Sequence, residues 1–424
     1  MIRVGLAALV MIGAPLAMPA PDRPAADDTL SELTTQAARP DGEITDTDPT
    51  GAHRTALGVQ FHGTWSDYTR ARRTRVLDRI RRSGATWVRM DVGWPMIQPE
   101  PGRYDLDWGV PVVDQAIRQV HRAGLKLLVM FWQTPHWAGE DDSLRVPPSD
   151  PRTYARAVGW AARRWADKVA AWEIWNEPNS SSFFEGASPR QYKRLLCPAY
   201  RAVHQHDSTA RVVFGGTMYN DDDWIRRVYR AGAKGCFDVM ATHPYLGPAD
   251  APPETADDGD IWTLRHVRKV RSVMLDFHDR KPIWATEFGW SAHRNSGDEE
   301  PWERGVSPRT QGRYAVRALA LFGRAYPYVR KAFWYNERAK ATGDPQQDGY
   351  GMLRRDLTPK PVYWAFRDYF RSSAADSAPP PRLRASRLTR RATLRVRLER
   401  VGSRWHDFVG SPTRLRSSRQ DSMS

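Results

Sequence analysis

The chain has 424 residues, 41% hydrophobic and 11% aromatic, enough to bury one large core or two ordinary ones and too much for a disordered polymer. Its 64 basic residues exceed its 49 acidic ones by 15, 55 of the basic ones are Arg, and about half of the excess lies beyond Ser372, where 12 Arg face four acids. No zinc-ligand spacing, RNA-binding aromatic motif or helix-turn-helix pattern accompanies that charge, which argues against a nucleic-acid partner, and a mean hydropathy of −0.64 excludes a multi-pass membrane protein.

Residues 1–20 open with Arg3 and an apolar run, broken by Pro15 and Pro19 and followed by small residues. They are expected to be a secretory signal peptide, or alternatively an uncleaved anchor. Either places the rest of the chain outside the cell or on its envelope. Residues 21–55, rich in Pro, Ala, Asp and Thr without an apolar period, read as a linker. From residue 56 to 371 short β-rich runs alternate with amphipathic stretches. Strands are predicted at 57–61, 86–92, 125–132, 169–175, 211–219, 237–245, 281–290 and 329–335. Helices are predicted at 68–83, 110–123, 151–167, 189–206, 262–278, 310–325 and 362–371, with Gly84, Gly124 and Gly232 as stop signals. Eight strand-helix units without a glycine-rich first turn predict an α/β fold, a single-domain (β/α)8 TIM barrel over residues 56–371.

Beyond it, residues 372–424 form an Arg-rich tail with one predicted strand at 394–401. One strand cannot bury itself, so the tail is either solvated or a contact for anionic cell-envelope material. Cys197 and Cys236 either form a disulfide in an oxidising compartment or remain buried thiols.

A TIM barrel places its chemistry at the carboxyl ends of its strands. The fourth predicted strand ends Trp172-Glu173-Ile174-Trp175-Asn176-Glu177-Pro178, and the seventh reads Thr286-Glu287-Phe288-Gly289-Trp290. Two carboxyls suit glycosidic cleavage, which needs a proton on the leaving oxygen and negative charge beneath the cationic sugar. Asn-Glu-Pro on strand four with Glu-aromatic-Gly on strand seven resembles the clan A retaining glycoside hydrolases, cellulase-like family 5 or family 39. The closing segment Gly351-Met352-Leu353-Arg354 with Pro359 and Pro361 is similar to the barrel end of that clan.

The resemblance implies a secreted, cofactor-free O-glycosyl hydrolase, acting as a monomer on β-linkages of a polysaccharide or oligosaccharide. It makes Glu287 the nucleophile and Glu177 the acid/base, with Pro178 expected to hold Glu177 extended. It further implies that Arg89 steadies the nucleophile, Asn176 binds the sugar 2-hydroxyl, His243 and Tyr245 support the pair, and Trp334 is the sugar platform beside a cis peptide bond. Glu173, deeper in the same strand, reads as a buried ion-pair partner. His136, His62 and the strand-end aromatics Trp94, Trp132, Trp137 and Trp290 either touch substrate or fill the core. Gln133 stands where family 5 has a His close after strand three, and His136 follows later. The alternative from another class is a non-catalytic carbohydrate- or envelope-binding barrel.

Overall fold

The computed structural model describes residues 54–186 and 188–376; the leader, nearly all of the linker and all but the first five residues of the tail, its predicted strand included, lie outside them. Nine parallel segments form the sheet: β1 (Ala56–Gln60), β2 (Trp87–Gly93), β3 (Lys126–Trp132), β4 (Ala171–Ile174), β5 (Arg211–Phe214), β6 (Thr217–Met218), β7 (Met240–His243), β8 (Ile283–Phe288) and β9 (Val329–Trp334). Their order is β5-β4-β3-β2-β1-β9-β8-β7-β6. The two ends of that order meet, because β5 and β6 are consecutive in the chain and Phe214 N–H donates to the Val239 carbonyl at 2.9 Å. The result is an eight-stave barrel whose fifth stave is split.

Helices cover the outside: α1 (Arg70–Arg82), α2 (Trp94–Ile97), α3 (Gly109–Arg122), α4 (Pro151–Arg164), α5 (Pro189–His206), α6 (Asp222–Arg230), α7 (Val267–Asp276), α8 (Pro308–Ala325), α9 (Pro345–Gly349) and α10 (Pro361–Asp376). Their starts follow local chemistry. Asp150 and Ser188 accept backbone N–H groups at the heads of α4 and α5, each followed by a Pro that has no N–H to satisfy. α6, absent from the predicted helices, starts on Asp221, whose side chain accepts Trp224 N–H, and buries Trp224, Ile225, Val228 and Tyr229 on one face.

Alternation along the strands sorts side chains into two environments. Outward residues pack under the helices. Inward ones form a plug of Trp87, Leu128, Ala171, Val213, Val239, Ala241, Trp284 and Phe333. Above the plug, the next inward positions are polar: Gln60, Arg89, Glu173 and Thr286 are all almost fully buried. A buried apolar floor therefore lies beneath a charged layer at the strand ends. Cys197 of α5 is bonded to Cys236, which precedes β7, closing 39 residues of chain, a loop whose closure stabilises the fold by roughly 4 kcal/mol in chain-entropy terms. Among the described residues no helix is long and apolar enough to cross a membrane.

Candidate active site

At the strand ends, Arg89 organises the carboxylates. Its Nε donates to Glu173 Oε2 at 2.5 Å, Nη1 to Glu287 Oε1 at 2.6 Å and to Gln60 Oε1 at 2.9 Å, and Nη2 to Asn176 Oδ1 at 2.9 Å. Burial acts to strip the guanidinium of its charge, but Glu173 and Glu287 more than offset this and hold its pKa above the usual Arg range. Glu173 is thus a buried counter-ion, also accepting from Gly216 N–H at 3.0 Å and from the Thr286 hydroxyl at 2.8 Å. Removing the cation should leave two buried carboxylates unpaired. Arg89→Met is expected to lose about 3 to 5 kcal/mol of stability in urea unfolding.

Glu287 accepts on both oxygens, from Arg89 on Oε1 and from the Tyr245 hydroxyl on Oε2 at 2.9 Å. Burial, and then the negative charge of Glu287, raise the Tyr245 pKa well above its usual value, so the phenol remains a donor. A register shift between Ala285 and Phe288 delivers this geometry. The irregularity lets Thr286 and Glu287 both reach inward contacts, while Phe288 packs outward on Phe322 and Trp334.

Glu177 follows β4 at φ 42°, in the left-handed region rather than the extended geometry expected from Pro178. Neighbouring backbone holds it there: Glu177 N–H donates to the Gly216 carbonyl at 3.0 Å, and Ser180 N–H to the Glu177 carbonyl at 2.9 Å. This explains the split fifth stave, predicted as continuous. A Cβ on Gly216 would stand 2.3 Å from His243 Nε2 and 2.6 Å from Thr286 Oγ1, so only glycine lets the strand pass so close to the site.

His243 links the two halves. Its Nδ1 lies 2.8 Å from Glu177 Oε1 and 3.9 Å from Glu287 Oε2, and its Nε2 lies 3.1 Å from Thr286 Oγ1. Proton bookkeeping then fixes the arrangement. The Thr286 hydroxyl spends its hydrogen on Glu173, so it accepts from His243 Nε2–H, and the Nδ1···Glu177 contact must contain one proton, on either the ring or the carboxyl. Burial lifts the Glu177 carboxyl; the hydrogen bond and charge of His243 oppose this, Glu287 adds to it, and the net direction is upward. Glu177, His243 and Glu287 could also offer one donor atom each to a metal ion, but the Arg89 guanidinium at 2.6 Å from Glu287 would repel a cation there.

Several other predicted contacts fall elsewhere. Trp334 is fully buried, with its ring 5.5 Å from Phe288 and 5.4 Å from Phe366 of α10 and its Nε1 donating to the Tyr350 carbonyl at 3.2 Å. It is core. The cis peptide bond expected beside it joins Tyr335 to Asn336, and Tyr335 takes the inward direction, its pKa raised first by burial, with the charge of Glu287 also acting upward. Strand parity is the reason: Phe333 points into the barrel, so 334 points out and 335 in. Trp290 is likewise buried, donating to the Ala251 carbonyl at 2.9 Å and packing on Tyr314, and has no face for a sugar. His136 sits in a short helical turn, its side chain 62% exposed and 3.5 Å from Asp142; no hydrogen bond among the described residues joins it to the glutamates. Trp94 is core beside Trp137 and Tyr154.

His62, by contrast, pairs with buried Glu337 at 2.8 Å and meets the Tyr335 ring edge-on at 6.0 Å. Against its own burial, the Glu337 carboxyl is held down to about 2 by His62, Arg338 and Lys340. Tyr335 and Tyr350, both unflagged in the sequence, extend an aromatic wall from Tyr245, with centroids 6.1 Å apart for Tyr245–Tyr350 and 5.6 Å for Tyr335–Tyr350.

Residues 47–313 match the cellulase family, glycosyl hydrolase family 5. The chain belongs to this family. A β-xylosidase from Caldicellulosiruptor saccharolyticus is 24% identical over 237 residues, which cover 52% of this chain and 46% of that protein. The chain thus spans about half of that relative. Among solved structures, a family 39 glycoside hydrolase from Bacteroides cellulosilyticus WH2 superposes with a TM-score of 0.59 at 24% identity, covering 74% of this chain and 63% of the other. A family 5 subgroup protein, GH5_18 from Streptomyces cattleya in complex with GlcNAc, gives 0.59 at 17% identity, covering 78% and 83%. At these identities the likeness is one of fold, and it extends to both families that the sequence resembles.

Proposed function

We propose that this family 5 chain is an exported, monomeric, retaining β-glycosidase that cleaves a polysaccharide or oligosaccharide, with Glu287 as nucleophile and Glu177 as acid/base. One observation carries this: an oxygen of Glu177 and an oxygen of Glu287 lie within 4.8 Å of one another. Retaining enzymes hold their carboxyls about 5 to 5.5 Å apart, whereas inverting enzymes leave roughly 6.5 to 9.5 Å for a water. Hydrogen bonding separates the roles. Glu287 accepts on both oxygens, from Arg89 and from Tyr245, whereas Glu177 shares a proton with His243 and is biased upward.

In the first step Glu177 gives its proton to the glycosidic oxygen as Glu287 attacks the anomeric carbon, and the aglycone leaves as an alcohol. In the second, Glu177 takes a proton from water, which attacks the same carbon and releases Glu287. Arg89 fixes the Asn176 carbonyl, which orients the Asn176 amide toward a sugar 2-hydroxyl. The disulfide supports export, since such bonds persist in oxidising compartments.

The test is a reducing-sugar assay across soluble β-glucans, mannans and xylans. Product from at least one, lost in Glu287→Gln, is expected; retention of glycan without product would support a binding barrel instead. The upward bias on Glu177 sets the pH dependence. Activity requires its protonated form, so kcat/KM should fall as pH rises through a pKa above the ordinary carboxylate range. In Glu177→Gln, assayed on a glycoside with an activated leaving group, that basic limb should vanish. A limb that persists would assign it to another group.

A further inference from the structure

The outer wall of the barrel has a second concave surface where α4 and α5 pack side by side beneath the loop that precedes α3. It is an open groove of about 420 Å3. Its floor is made of Ala155, Gly159 and Ala202. The floor is low because the helices nearly touch: a Cβ on Gly159 would stand 3.1 Å from the His206 ring and 3.2 Å from Ala202 Cβ. One wall is Tyr104 against Trp160, stacked at 3.7 Å and 9° and both half-buried.

Cations form the rim. Arg152, Arg156 and Arg163 line the groove, and no Asp or Glu does. Arg152 pairs with Asp150 at 3.1 Å, and Arg164, which lies over the Trp160 ring at 5.5 Å, pairs with Asp114 at 2.8 Å. Arg156 and Arg163 make no ion pair among the described residues and are exposed. α4 carries four Arg and no acid, so nothing on the helix neutralises them. Two free guanidiniums at the edge of the groove suit a carboxylate-bearing ligand, because a guanidinium binds a carboxylate through two parallel hydrogen bonds.

We propose that this groove is a secondary glycan-binding site that takes a carboxylate-bearing segment of a polysaccharide. Anion capture follows from the groove alone, while the choice of a glycan among anions rests on the glycosidase reading. The site lies on helix faces outside the barrel, apart from the strand ends that hold Glu177 and Glu287, and holds a chain on the enzyme while the cleft acts on it.

The test is affinity electrophoresis of the full chain, in a Glu287→Gln background, through gels containing carboxymethylcellulose or hydroxyethylcellulose, which share a backbone and differ in charge. Retardation by the carboxymethyl polymer only, weakening with added salt, is expected. Arg156→Gln with Arg163→Gln should lower that affinity about tenfold. Arg309→Gln with Arg313→Gln, removing equal charge from exposed positions on α8, should leave it in place, and with Glu287 intact both pairs should keep parental turnover on a neutral soluble glycan.

Unchanged retardation in the groove variant, equal loss in the α8 variant, or equal displacement by single-stranded DNA would each overturn the proposal. Groove-dependent retardation by a chain that releases no sugar from any glycan would refute the glycosidase reading and leave the groove's capture of carboxylates standing.

Discussion

Glu287→Ala is expected to lower turnover on a natural glycan by between about a hundred thousand-fold and a million-fold, the scale seen when a nucleophile that acts together with a base is removed. Neither neighbouring carboxylate can take over. Glu173 is locked beneath on Arg89 at 2.5 Å, and Glu177 faces His243. The variant should still fold, because Arg89 retains Glu173, Gln60 and Asn176 as partners and loses only one. Added azide or formate should enter the space left beside Tyr245 and attack the anomeric carbon from below. With an activated glycoside the recovered product is a glycosyl azide of inverted configuration, which nuclear magnetic resonance of the anomeric proton distinguishes directly. Rescue with retained configuration would place the nucleophile elsewhere.

Glu177→Ala should fail differently. Turnover of a natural glycan, whose leaving alcohol needs a proton, is expected to fall by roughly a hundredfold to ten thousandfold. A dinitrophenyl glycoside needs no proton and should still glycosylate Glu287, after which the water step is slow, giving a burst and an accumulated ester. Azide, a nucleophile that needs no base, should then release a glycosyl azide of retained configuration. Opposite stereochemistry from the two variants under the same added anion is the diagnostic. Equal losses on natural and activated substrates would remove Glu177 from proton transfer.

Much of this was legible in the sequence because the barrel repeats one pattern. Eight apolar runs with helical stretches between them suffice for the architecture, and strand-end motifs place Glu177, Asn176 and Glu287 on one face with Arg89, His243 and Tyr245. What escaped depends on departures from regular strands. Gly215 and Gly216 interrupt the fifth stave, and Gly216 admits His243 and Thr286, yet in a linear reading both sit inside one apolar run. The irregularity around Thr286 and Glu287 sends consecutive side chains to the same region, which alternation forbids.

At the end of β9 a one-residue slip exchanges core for cleft: counting by twos from the inward Phe333 reaches Tyr335, not Trp334. Helix α6 had its own signal in Asp221 and the spacing of Trp224, Ile225, Val228 and Tyr229. The Glu337–His62 pair spans 275 residues, and no local pattern announces it.

A covalent bond from the sugar to Glu287 is most directly tested by trapping it. The chain should be incubated with a 2-deoxy-2-fluoro glycoside of a sugar it hydrolyses, bearing an activated leaving group, then digested and analysed by tandem mass spectrometry. One fluoroglycosyl unit on the peptide carrying Glu287, bound through that carboxylate and absent from Glu287→Gln, is the predicted result. A label on Glu177 or another residue, or sustained turnover of the fluoro sugar by Glu287→Gln, would contradict it.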